Sequence, residues 1–403
     1  MVAELVRSRI AVERNQGILS ALPIIHLPTP GDHYSHATGS AIMTLVYELT
    51  RCHERAGGDT TIIVGENTRH DYPVGKCVTV AYNSVRSKPK RAADVLIGRF
   101  GLSRPFVKSV YRPATHVIPR DFSGAIVAHN APAPLRMLRA TAPKAKICLY
   151  CHNDLFETYT TAEARKTLAS ADRIFCLSKY VADGIARRLG HHDPRIRVIH
   201  SGVDSARFSR SNSNPQVDAP TIAFVGRVIP EKGVDLLLKA AATLPDLEFR
   251  VKVVGSNNFN ANEPLSAYES QLRRIAELIQ DRVEFIPFVD RTKVVDVFRD
   301  ASIYCAPSNW NEPFNLTILE AMSTGLPIVA SDKGGIPEVG GDAILYFSPP
   351  NIQQLANHIQ MLITSSDARE EWGRKARQRA ERFSWQSCYD HLINELSNDS
   401  GTR

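Results

Sequence analysis

Short, continuously apolar runs recur along this chain, separated by stretches with helical periodicity, and this alternation limits the fold more than any other feature. The runs LPIIHLP (22–28), TTIIVG (60–65), KCVTVAY (76–82), GAIVAH (124–129), KICLYCH (146–152), RIFCLS (173–178) and IRVIH (196–200) read as strands. Between the first two, Ile42, Leu45, Val46 and Leu49 recur at i, i+3, i+4 and i+7, one face of a helix over about residues 39–55. Strands that are apolar throughout are buried on both faces, which predicts a parallel sheet covered by helices.

The pattern then restarts. A Ser/Asn/Pro-rich stretch over residues 209–220 reads as a linker, and strands follow at TIAFVGR (221–227), FRVKVVG (249–255), VEFIP (283–287), IYCAPS (303–308) and LPIVAS (326–331). Helices are expected over 234–244, about 265–281, 291–301 and from Phe314 or Asn315 onward. A chain of 403 residues is too long for one core and divides naturally into two domains of roughly 200 residues. The expected fold class is α/β, with two Rossmann-like doubly wound domains across a cleft. Ligands in such folds sit beyond the carboxyl ends of the strands. The expected boundaries are 1–205, 206–384 and a C-terminal helix over 385–403, in which Trp385, Tyr389, Leu392 and Leu396 fall at helical spacing.

Composition excludes several classes. With 43% hydrophobic and 23% charged residues the chain reads as globular, and no apolar run approaches the roughly 20 residues that cross a bilayer. Charges at Glu4, Arg7, Arg9, Glu13 and Arg14 interrupt the N-terminus, so no signal peptide is read there and a cytoplasmic location is expected. Seven cysteines, an odd number, do not form a disulfide framework. Cys148 and Cys151 have C-x-x-C spacing but lie in a strand, where residues three apart face opposite sides, so they read as core. His191 and His192 read as solvated surface.

Two constellations carry chemistry. In NWNEPFNLTILEAMSTGLPIVAS (309–331), Glu312 precedes a helix and Glu320 lies along it. The helix start offers unpaired N–H groups and partial positive charge to a phosphate. Glu320 sits roughly 8 Å further along the axis, within reach of another part of an extended ligand such as a ribose diol. An amphipathic helix with an acidic first turn is the alternative. In FVGRVIPEKG, Arg227 follows a strand and Lys232 precedes a helix. Two cations there would neutralise a diphosphate and its leaving-group charge, although two exposed surface cations would read the same way.

GRVIPEKG, the E-x7-E spacing of Glu312 and Glu320, and VIHSGVDSARF together resemble the retaining glycosyltransferases of family 4. The resemblance is strongest over residues 195–385. It implies the GT-B fold, with acceptor bound mainly by the first domain and nucleotide sugar by the second. By this resemblance Arg227 and Lys232 grip the donor diphosphate and Glu312 contacts the transferred sugar. Backbone amides of Phe314, Asn315 and Leu316 contact sugar hydroxyls and phosphate, and Glu320 bonds the ribose. Many relatives have glycine at the position of Asn315, and a side chain there is expected to narrow the sugar pocket. His152, at a strand end, matches the family histidine close to the transferred sugar. The SHATGSA loop resembles the family's first glycine-containing loop, with Gly39 at the helix start letting backbone approach the phosphate. His33 and His36 are candidate acceptor contacts, and His129, ending a neighbouring strand, is either an acceptor contact or a partner of His152 behind the site.

The resemblance further implies transfer with retention of configuration by a front-face route, a UDP-linked hexose as donor, and domain closure that assembles the site. The sequence has no Asp-x-Asp pair, so no metal and no cofactor are expected. Residues 86–120 hold nine Lys or Arg and one acid, Asp94, interleaved with apolar residues. Such a segment suits an anionic membrane surface, in keeping with a lipid-linked or glycan acceptor at the inner face of the membrane; a solvated basic face is the alternative. Nucleic acid is not expected. A nucleotide-sugar isomerase or a non-catalytic nucleotide-sugar binder remains open. A dehydrogenase is disfavoured because no G-x-G-x-x-G follows the first strand.

Overall fold

The computed structural model describes residues 22–83, 88–100, 104–210, 219–258 and 264–398. The N-terminal stretch, most of the expected linker and parts of the basic segment 86–120 lie outside the described residues. The chain forms two units. One comprises residues up to Ser35, Ser40–His200 and the C-terminal segment from Trp385; the other comprises His36–Gly39 and Ser201–Ser384. The division thus falls a few residues before the expected one, and a short piece of the first loop groups with the second unit.

In the first unit, β1 (Ile24–Leu27), β2 (Thr60–Gly65), β3 (Lys76–Val80), β4 (Ala125–His129), β5 (Lys146–Cys151), β6 (Arg173–Cys176) and β7 (Ile196–Val198) form one parallel sheet in the order β3-β2-β1-β4-β5-β6-β7. In the second, β8 (Thr221–Val225), β9 (Arg250–Val254), β10 (Val283–Ile286), β11 (Ile303–Ala306), β12 (Ile328–Ser331) and β13 (Leu345–Phe347) form a parallel sheet in the order β10-β9-β8-β11-β12-β13. Both orders reverse direction beside the first strand of the unit, between β1 and β4 and between β8 and β11. A doubly wound sheet opens its ligand crevice at that point. The inner strands are buried along their whole length, as expected for a sheet with helices on both faces.

Several elements differ from the periodicity reading. The helix expected over about 265–281 ends at Ala276 and tightens into a 3-10 turn, Glu277–Arg282. The one expected at 291–301 begins as a 3-10 turn and is helical only over Val294–Arg299. The basic segment contains two helices, Lys88–Arg99 and Pro105–His116. Its single acid faces inward: Asp94 is buried and its carboxylate accepts the Phe106 and Val107 N–H groups at 3.0 and 2.8 Å, capping the second helix. Arg104 also belongs to the fold, bonding Glu163 at 2.6 Å and covering the Tyr159 ring. Cys148 and Cys151 are free and fully buried core residues.

The helix Trp385–Ser397 belongs to the first unit and packs on the helix Ala41–Arg55. Tyr389 Oη lies 3.1 Å from His53 Nδ1, and the Leu396 carbonyl accepts from Lys146 Nζ at 2.6 Å. Trp385, Tyr389, Leu392 and Leu396 are all buried, so the helical stripe read in the sequence is the packed face.

Candidate active site

In the second unit three loops converge behind the strand ends. The loop behind β8 carries Arg227, which is exposed, and Lys232, which is half-buried. It closes in a 3-10 turn on Gly233, at φ +67°. A Cβ on Gly233 would lie 2.0 Å from the Pro307 carbonyl oxygen, so glycine is what lets the loops behind β8 and β11 approach each other. The Asn309 N–H, donating to the Glu231 carbonyl at 2.8 Å, ties the same two loops.

Glu312, behind β11, is 3% exposed. Its Oε1 receives Lys232 Nζ and Ser308 Oγ, each at 2.6 Å. Its carbonyl accepts the Gly335 N–H at 2.6 Å. Gly334, at φ +62°, passes so close that a Cβ would lie 2.2 Å from that carbonyl oxygen. The loop behind β12 therefore braces Glu312 from the other side. A buried carboxylate needs partners for its oxygens, and here one is a cation whose expected role is to hold phosphate.

The helix that follows starts at Leu316. Asn315 sits at φ +80°, a left-handed conformation that glycine adopts freely and asparagine tolerates best among the other residues. Its Oδ1 accepts the Ile318 N–H at 3.2 Å and the Thr317 hydroxyl at 2.8 Å. The backbone thus explains the family's glycine at this position. The asparagine carboxamide caps the helix, a role the expectation of a narrowed sugar pocket did not anticipate. Phe314 is a core residue and Leu316 is nearly buried, so only their backbone is suited to contact a ligand.

Glu320, one face of that helix further on, is 1% exposed. Arg291 pairs with its Oε1, while Oε2, fully buried, has no hydrogen-bond partner. Burial raises the Glu320 pKa against the pull of Arg291 and Arg207. Trp310 Nε1 is a buried donor without a partner, and Lys232 lies over its ring at 5.7 Å. Unpaired buried polar atoms are uncommon in folded proteins, and these two leave one acceptor and one donor without a partner in this region.

In the first unit His152 follows β5 directly and is 5% exposed. Its Nε2 lies 2.9 Å from His129 Nδ1, at the end of β4. His129 Nε2 in turn lies 2.9 Å from His26 Nδ1, on β1. The three rings form a row across β1, β4 and β5, with Tyr150 stacked on both His129 and His152. Burial pushes the His152 pKa down to about 3, and burial with the nearby His53 does the same for His26. His129 is held well below the ordinary value by burial and its two neighbours.

The remaining expected contacts have partners of their own. His33 Nδ1 accepts the Arg69 backbone N–H at 2.9 Å, so that ring holds a loop. His36 groups with the second unit, and its carbonyl accepts the Arg291 N–H at 3.4 Å. Gly39 precedes the helix; the cap is Ser40, whose hydroxyl accepts from the Met43 N–H. His129 is fully buried, which makes it a partner of His152 and not an acceptor contact. Sequence reading missed His26, Arg291, Ser308 and Trp310. A histidine inside an otherwise apolar strand was the available signal for His26. Nothing local marks Arg291 as the partner of Glu320.

Two doubly wound units, each presenting polar side chains where its strand order reverses, form the GT-B architecture. The chain belongs to the family 4 glycosyltransferases: residues 205–379 match the model described as Glycosyl transferases group 1, and residues 42–207 the model Glycosyltransferase Family 4. Spore coat protein SA of Bacillus subtilis is 30% identical over 288 residues, 66% of this chain and 75% of that one. A D-inositol 3-phosphate glycosyltransferase of Saccharomonospora viridis is 30% identical over 294 residues, covering 68% of this chain and 65% of its own length. Among solved structures, HepE of Anabaena in complex with UDP and glucose aligns over 94% of this chain and all of that one, with a TM-score of 0.70 at 19% identity. A sucrose-phosphate synthase of Thermosynechococcus elongatus aligns over 92% of this chain and 97% of its own, with a TM-score of 0.71 at 18% identity. These two likenesses show the shared fold. No helix among the described residues is long and apolar enough to cross a membrane.

Proposed function

We propose that the protein transfers a hexose from a UDP-linked donor to an acceptor hydroxyl, with retention of configuration. The observation that carries this reading is the convergence of Lys232, Glu312 and Ser308 beside the helix at Leu316, with the unbonded Oε2 of Glu320 further along it. In this reading Arg227, Lys232 and the helix start bind the diphosphate, and Glu320 takes the ribose hydroxyls on Oε2. Glu312, released from Lys232 as phosphate takes the lysine, meets the transferred sugar, and in the first unit His152 is read, from the family resemblance, as a sugar contact. The two cations supply the charge that the leaving diphosphate needs, which supports transfer without a metal or cofactor. The solved neighbour HepE, in one structure with UDP and glucose and in another with UDP-glucose, supports uridine as the base.

The acceptor is a glycan, a lipid-linked saccharide or a small molecule; relatives named for inositol 3-phosphate favour considering a phosphorylated polyol. A specific observation favours the lipid-linked reading. The helix Lys88–Arg99 and the residue after it expose Leu96 (57%) and Phe100 (76%) near Lys90 and Arg99, while Asp94 is turned inward. An apolar pair among exposed cations fits the inner face of a membrane, each cation contributing about 1 kcal/mol on an anionic surface.

The test is thermal stability against UDP, GDP, ADP and their sugar conjugates. Ligand at 100 times its Kd should add about 2.7 kcal/mol to folding stability. Stabilisation by the uridine series that disappears in Glu320→Ala is expected. No shift with any nucleotide would overturn the reading. Conversion of the donor without an acceptor would favour an isomerase, and binding without turnover in the presence of acceptors a non-catalytic binder.

A further inference from the structure

We propose that His129 and His26 are positioning residues that set the tautomer of His152, so that His152 presents a bare Nδ1, a hydrogen-bond acceptor, to the ligand. The inference rests on the reading of His152 as a sugar contact. Its basis is the continuous row His26 Nδ1···His129 Nε2 and His129 Nδ1···His152 Nε2, both 2.9 Å. A neutral imidazole donates from one nitrogen and accepts on the other, and rings buried this deeply are held neutral. Each contact then needs one donor and one acceptor, so the row has only two arrangements, and all three tautomers change together. In one, every ring is protonated at Nε2: His152 donates to His129 and His129 donates to His26. In the other, every ring is protonated at Nδ1. The Nε2–H form is the intrinsically preferred neutral tautomer, and the first arrangement satisfies that preference at all three positions. His152 Nδ1 is then left to accept from a sugar hydroxyl.

The surroundings hold the row in place. Tyr150 stacks on His129 and on His152 at centroid distances of 5.5 and 4.8 Å, and its hydroxyl donates to the Ile199 carbonyl at 2.9 Å. The His152 backbone N–H donates to Asn130 Oδ1 at 2.7 Å, and Asn130 is itself in a left-handed conformation at φ +49°. Beyond His26, His53 is anchored separately by the Leu22 carbonyl and Tyr389. The orientation of each ring is therefore fixed by packing, and what the row adds is the choice of which nitrogen carries the proton.

The experiment uses the full chain with 15N-labelled histidine, read by long-range 1H–15N correlation, with UDP affinity by calorimetry and UDP release from UDP-glucose measured on the same samples. The wild type should show His26, His129 and His152 neutral and protonated at Nε2. His129→Phe keeps a ring against Tyr150 but removes the row. It should shift the His152 nitrogens and lower UDP release up to about tenfold, the range of one lost hydrogen bond, with UDP affinity within about twofold of wild type. His129→Asn places its amide where Nδ1 was and should restore most of the rate. His129→Gln reaches toward His26 instead and should not. A His152 protonated at Nδ1 in the wild type, or His152 nitrogens unmoved by His129→Phe, overturns the proposal. So does equal behaviour of the Phe and Asn variants, or loss of UDP affinity together with rate, which marks a merely structural ring. If wild type binds no UDP, the donor reading fails on its own, and the nitrogen shifts still decide whether the row sets the tautomer.

Discussion

The two units place functional side chains at the same topological point and give them opposite electrostatics. At the β1–β4 reversal the first unit has three buried imidazoles, bonded to one another and held neutral. At the β8–β11 reversal the second has two buried carboxylates, each paired with a cation. A neutral row buries no charge and suits sugar hydroxyls, which exchange hydrogen bonds. A buried ion pair holds a cation in place at the cost of desolvating both partners, and it can be opened by an anion that competes for the lysine. A shared fold therefore carries two kinds of polar cluster: His26 and His129 come from the strands themselves and His152 from the residue after one, whereas Lys232 and Glu312 lie in loops and Glu320 on a helix.

Acid should separate the units most strongly. His26 and His152 have folded-state pKa values of about 3 against an ordinary 6.5. The stability they contribute is fully present above pH 6.5 and is lost as pH falls toward 3. Together they should remove roughly 5 kcal/mol by pH 4.5, at about 1.4 kcal/mol per unit for each. Glu320 has the opposite sign: its pKa is raised, so protonation relieves its burial as pH falls and its contribution weakens as pH rises. The first unit should therefore unfold at milder acidity than the second. Trp385 lies in the first unit and Trp310 and Trp372 in the second, so fluorescence of a chain with Trp310→Phe and Trp372→Phe follows the first unit alone. Coincident transitions, or the second unit unfolding first, would break the contrast.

Lys232→Met tests the charged half. It leaves the Glu312 carboxylate buried with Ser308 as its remaining side-chain partner and should destabilise the second unit by about 3 kcal/mol, as breaking a buried pair does. Adding Glu312→Gln should recover most of that loss in denaturant titrations without restoring nucleotide binding. If stability does not recover, the pair is not what holds the two loops together.

The smallest effect concerns the helix cap. Asn315→Gly keeps the left-handed backbone and gives up the cap, a change of a few tenths of a kcal/mol. Asn315→Ala loses the cap and also strains the backbone at φ +80°, together about 2 kcal/mol. Thermal melts of the two variants should rank in that order, and equal melts would mean that the cap contributes nothing.

Much of this was legible in the chain itself. Continuous apolar strands gave away the parallel sheets, because a strand covered on both faces needs no polar side. The E-x7-E spacing marked Glu312 and Glu320 through its resemblance to a known motif, and the structure places only Glu320 on the helix, with Glu312 in the loop before it. Asn315 was noticed as a departure, but its role as a cap depends on a backbone angle that no residue count reveals. The basic segment was visible as a charge run, whereas the inward turn of Asp94 and Arg104 was not, because their partners lie on separate elements.

The sequence by itself determined the two repeats of the architecture, through periodicity, and the class of the chain, through motifs whose order and spacing resemble a known family. It also singled out the acidic and basic candidates Glu312, Glu320, Arg227 and Lys232. Tertiary structure alone decided the partnerships. Lys232 meets Glu312 across 80 residues and His26 meets His129 across 103, because parallel strands distant in sequence end at the same edge of a sheet. Pairing at that edge depends on strand order and loop closure, and a linear text of residues carries neither directly.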